Sequence, residues 1–80
     1  MSKADKLVAR MRANPRGWRM EELETVASLH GVGVRKTGGS HFVFTHEAAD
    51  LAVTVPFKRP IKPVYITQLL ALLDLIGAGS

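Results

Sequence analysis

The elements written into this chain run helix, helix, strand, strand, strand, helix, which predicts a two-layer α+β domain with helices covering one face of a three-stranded antiparallel sheet. Three observations carry that reading. Apolar residues recur at helical spacing before residue 30 and again after residue 64, and they alternate with a period of two between residues 32 and 55. The connections inside the alternating region are too short for parallel crossovers, so its strands form a meander.

In the first element Ala4, Leu7, Val8 and Met11 fall at i, i+3, i+4 and i+7, while Lys3, Lys6 and Arg10 line another side. It stops at Asn14-Pro15, because proline disfavours helical backbone in the residue before it, and residues 14 to 18 read as a turn. Trp18 is suited to anchor the next helix to the core. That helix is expected from about Arg19 to His30, where Leu23, Val26, Ala27 and His30 share a face and Gly31 provides a stop. Glu21, Glu22 and Glu24 near its start complement the positive end of the helix dipole.

Val32 and Val34 then alternate with Gly33 and Arg35, and Thr37-Gly38-Gly39 signals a hairpin turn. The returning strand is expected over Ser40 to Thr45, with Phe42 and Phe44 on one face and His41, Val43 and Thr45 on the other. After a polar turn at His46 to Asp50, Leu51, Val53 and Val55 mark a third strand that ends at Pro56. Residues 56 to 63 combine three prolines with Lys58, Arg59 and Lys62, a stiffened basic loop. The last helix carries Ile66, Leu69, Leu70 and Leu73 in one stripe, with Tyr65, Leu72 and Leu75 or Ile76 widening it. That is broader than one sheet face needs, so a partner or the N-terminal helix is expected on the remaining side.

Length and composition narrow the function. Eighty residues make one domain, here residues 1–80, with 19–76 as its core and 1–18 as an additional N-terminal helix and turn. A two-domain enzyme is excluded, and any active site must be shallow. With no cysteine there is no disulfide, thiolate nucleophile or cysteine zinc site. The longest apolar run, Leu69 to Leu73, is far short of a membrane span, and Lys3, Asp5, Lys6, Arg10 and Arg12 interrupt any signal-peptide centre, so a cytoplasmic location with no membrane contact is expected. A net charge of +4 and a pI near 10.0 favour a polyanionic partner, nucleic acid first.

If the phenylalanine face is inward, His41 projects from the bare face of the middle strand, beside the glycine turn and near Arg35, Lys36 and the Lys58 loop. That geometry suits RNA. Histidine titrates near neutrality, so one imidazole can take a proton from a ribose 2′-hydroxyl or give one to a leaving oxygen, a contribution of about 10²–10⁴-fold. Cations nearby would stabilise the developing charge on phosphorus. DNA lacks the internal nucleophile and is not expected as a substrate by itself. The plainer reading of His41 is a solvated strand histidine, and that of Gly38-Gly39 is a turn, although exposed turn amides can touch a phosphate. Ser40 reads as turn or strand polarity without a serine-histidine relay, because an extended strand sends its side chain away from that of His41. His46 reads as a solvated turn residue and His30 as a helix C-terminal one. His41 and His46 lie on opposite strand faces with no further ligands clustered near them, so no metal and no cofactor is expected.

The run Gly38-Gly39-Ser40-His41-Phe42-Val43-Phe44, followed by Val53-Thr54-Val55-Pro56 and a closing helix, resembles the HicA family of mRNA interferase toxins over roughly residues 20 to 76. The resemblance implies a fold like a double-stranded RNA-binding domain and His41 as the catalytic histidine of an endoribonuclease. It implies cleavage of messenger RNA that arrests translation and growth, and a cognate HicB-like antitoxin that covers the site. The helix at residues 3 to 13 and the loop from Phe57 to Tyr65 depart from the family pattern. Arg35, Lys36, Gly39, Ser40, Lys58 and Arg59 form the expected RNA-contacting set, with Lys36, Lys58 and Arg59 included on charge alone. The alternatives are a non-catalytic RNA-binding module on the same basic surface and a protein-interaction domain whose last helix seeks a partner.

Overall fold

A computed structural model describes residues 3–58 and 60–77, and it contains three helices and a three-stranded antiparallel sheet. Helix α1 spans Lys3–Ala13. The Asn14 amide still donates to the Arg10 carbonyl at 2.9 Å, and the Asn14 side chain accepts from the Arg16 amide at 3.1 Å, which turns the chain after the helix. Buried Trp18 fixes this turn to the core by donating its indole N–H to the Asn14 carbonyl at 2.7 Å.

Helix α2 spans Met20–Leu29, with Arg19 and His30 as its caps rather than its first and last helical residues. The Glu22 carboxylate reaches back to accept from the Arg19 amide at 3.0 Å, satisfying a donor that the first turn leaves open. At the far end Gly31 takes a φ of 73°, its amide donates to Ser28, and the Val32 amide donates to the Ala27 carbonyl at 2.8 Å. This is the Schellman closure, which favours glycine, and it delivers buried Val32 to the core.

The strands are β1 (Gly33–Thr37), β2 (His41–Thr45) and β3 (Val53–Pro56), in that spatial order. Leu51 lies before β3 and is exposed, because β3 pairs with β2 only from Val53 onward. Phe42, Phe44, Val53 and Val55 face the helices and are buried with Leu23, Val26 and Ile66. Helix α3 spans Pro63–Leu75 and opens with proline at its first turn, where no amide is needed.

The wide apolar face of α3 is met from within the chain. Helix α1 packs against both α2 and α3, burying Val8 and Met11, and Leu69, Leu70, Leu72 and Leu73 are all buried. Of the two expected occupants of that side it is the N-terminal helix that fills it, and Val64 and Leu75 at the two ends of α3 remain exposed. An ion pair between Arg12 and Asp74 borders the same seam. Among the described residues no helix is long and apolar enough to cross a membrane.

Candidate active site

The hairpin loop decides what surrounds His41. It contains three residues, Gly38, Gly39 and Ser40, so Thr37 pairs with His41, Lys36 with Phe42 and Arg35 with Val43. Paired residues in an antiparallel ladder share a face. The bare face therefore presents His41 with Arg35, Thr37, Val43, Thr45 and Thr54, and His41 itself is exposed at one end of the central strand.

Two sequence expectations change for the same reason. A two-residue turn would have paired Lys36 with His41; the third loop residue moves the register by one and sends Lys36 to the phenylalanine face. There its ammonium lies 5.4 Å from the Phe42 ring centroid. Ser40 belongs to the loop and not to the strand, so strand alternation does not apply to it. Its hydroxyl Oγ sits 3.2 Å from His41 Nδ1, a contact that the expected strand geometry had ruled out. Either partner can donate in this contact, depending on the tautomer. When Nδ1 carries the proton and donates to Ser40 in the neutral ring, Nε2 is a free base; in the imidazolium both nitrogens carry protons, Nδ1 still donates to Ser40, and Nε2–H is the acid.

Of the other expected contacts, Arg35 shares the His41 face as its diagonal neighbour, a separation of about 7–8 Å that a long side chain spans. Gly39, with φ 75°, and Gly38, with φ 60°, protrude so far that a Cβ on either would meet nothing within 4 Å. A phosphate can thus approach this backbone closely. Lys58 lies two residues beyond Pro56, the β3 partner of His41, and lines a groove on the far side of the loop. Arg59 lies outside the described residues.

Two features escaped the sequence. Phe57 stacks on Phe42 with ring centroids 5.6 Å apart and is still 45% exposed, while its amide donates to the Ser40 carbonyl at 2.8 Å. The groove of about 590 Å³ is lined by Arg16, Lys58, Pro60, Ile61, Lys62 and Pro63. Arg16 comes from the turn between α1 and α2 and joins this loop because the Ile61 amide donates to the Trp18 carbonyl at 3.0 Å. The proline and lysine spacing of the loop marked it as stiff and basic, but nothing local to Arg16 announced the meeting.

His30 caps α2 and its Nε2 is buried with no hydrogen-bond partner among the described residues, whereas His46 Nδ1 accepts from the Ala48 amide at 2.9 Å. Among the described residues no three His, Asp or Glu side chains gather into a metal-binding cluster. Compared with known proteins, the chain matches no family, no curated protein and no solved structure.

Proposed function

We propose that this chain is a metal-independent endoribonuclease of the HicA toxin type, with an architecture like a double-stranded RNA-binding domain and His41 as its general acid or base. The observation that carries the reading is the pairing of Ser40 Oγ with His41 Nδ1 at 3.2 Å on an open strand end, which orients the ring and leaves Nε2 for substrate.

In the reaction, the ribose 2′-oxygen attacks the adjacent phosphorus and the bond from phosphorus to the 5′-oxygen breaks. The products are a 2′,3′-cyclic phosphate and a 5′-hydroxyl. His41 Nε2 takes the 2′-hydroxyl proton or supplies the one that the leaving oxygen needs, and solvent handles the other. Arg35 on the same face offers a guanidinium to the phosphoryl oxygens as charge builds on them. The open Gly38-Gly39 turn admits the backbone beside the ring. One imidazole and few cations make a slow enzyme, which suits a toxin whose target is the cell's own message. On this reading the setting is the cytoplasm, the substrate is messenger RNA, and a HicB-like antitoxin covers the His41 face.

Expression of the wild type and His41→Ala in a reporter strain tests the proposal. The wild type is expected to stop growth and fragment messages, and His41→Ala, equally folded, to do neither. Equal message loss with both proteins overturns the role of His41. RNA binding by both without cleavage points instead to a non-catalytic module.

A further inference from the structure

Beyond His41, one side of the molecule has the makings of a track for the substrate. Phe57 rests on Phe42 and stays 45% exposed, at the same end of the sheet as His41 but on the opposite, phenylalanine face. Its amide bond to the Ser40 carbonyl ties this platform to the residue that touches the imidazole. Lys58 follows in the chain and turns into the groove, where Arg16 and Lys62 join it. None of these three cations has a carboxylate partner among the described residues. The adjoining hollow of about 310 Å³ shares Arg16 but contains Glu22, so its charge is mixed and the unopposed positive charge lies in the first groove.

We infer that a single RNA strand held at His41 passes round this end of the sheet, Phe57 stacking an unpaired base and the Arg16-Lys58-Lys62 groove holding the following phosphates. This rests on the His41 reading and adds to it the form of the substrate. An exposed aromatic beside a cationic groove is the combination that binds single strands, since the aromatic needs the face of a base and the groove needs only the backbone. A duplex presents no such face, because its bases are stacked on one another. Apart from the three cations the lining is Gly17, Pro60, Ile61 and Pro63, which offers no other hydrogen-bonding side chain to read base edges. Selection is therefore for strandedness and not for sequence at these positions.

The test uses His41→Ala protein, so that RNA survives, with a fluorescein-labelled oligouridylate and a blunt RNA duplex as probes in anisotropy titrations. Phe57→Ala in that background is expected to weaken the single-strand complex about tenfold, and Phe57→Tyr to retain it. Replacing Arg16, Lys58 and Lys62 together with alanine is expected to reduce the log-log salt slope by about 2. Phe57→Trp should lose fluorescence on saturation beyond any change in the parent, whose Trp18 is buried. Single-strand binding indifferent to Phe57, tighter binding of the duplex, or a groove that takes an acidic peptide and no RNA overturns the inference. The two readings fail separately. Undiminished cleavage by Phe57→Ala in the wild-type background, with unchanged oligouridylate binding, removes the track and leaves His41 standing. Phe57-dependent binding without cleavage keeps the track and removes the nuclease.

Discussion

Phe42 and Phe44 look from one side of β2 into the helices, and on the other side His41 and Thr45 are exposed and Val43 half-buried, with no helix over them among the described residues. The two sides are separated by nothing more than strand alternation, yet they answer to different physics. On the inner side Phe44 is wholly buried and its identity is set by volume and apolar area. The outer side contributes little to stability, and this freedom is what allows a titratable ring, a guanidinium and a protruding glycine turn to gather there.

The comparison breaks most readily at Phe44. Phe44→Ala is expected to cost about 3–5 kcal/mol, a large share of the roughly 4–12 kcal/mol available to a domain of this length, and Thr45→Ala on the other side to stay within about 0.5 kcal/mol. Urea unfolding midpoints measure both, and comparable losses would erase the distinction between the faces. A smaller effect sharpens the outer side alone. Ser40→Ala removes the group that holds His41 Nδ1 and is expected to slow cleavage about fivefold with little change in stability, whereas Ser40→Thr keeps the hydroxyl and most of the rate. The smallest effect belongs to the α1–α3 seam, where Arg12 and Asp74 pair in the open, their side chains 39% and 54% exposed. Asp74→Asn should shift stability by no more than about 1 kcal/mol, and the shift should shrink further in salt.

Much of the architecture was legible because helix and strand periods differ and because the stops were chemically explicit. Asn14-Pro15 and Gly31 ended helices where they should, and the alternation through Phe42 and Phe44 assigned the buried face. The surroundings of His41 were less legible, for a single reason. Whether Ser40 is the last residue of the loop or the first of the strand is a difference of one position, and Thr37-Gly38-Gly39-Ser40 is compatible with both. That one position decides whether Lys36 stands with His41 or with Phe42, and whether the Ser40 hydroxyl can reach the imidazole. The groove was hidden for another reason. Its cations come from positions 16, 58 and 62, and only the long-range bond from Ile61 to Trp18 joins them. The breadth of the apolar face on α3 correctly asked for a cover, but periodicity names no neighbour, and it took packing to assign α1 to the task.

The central claim is that the exposed ring of His41 moves a proton in an attack by a ribose hydroxyl. An oligonucleotide of deoxyriboses with a single ribose, incubated with wild-type and His41→Ala protein of matched melting temperature, tests it directly. The wild type should cut only at the 3′ side of that ribose and leave a cyclic phosphate, with His41→Ala slower by about 10²-fold or more. Equal cutting by the two proteins, or cutting of the strand that lacks the ribose, would contradict the account.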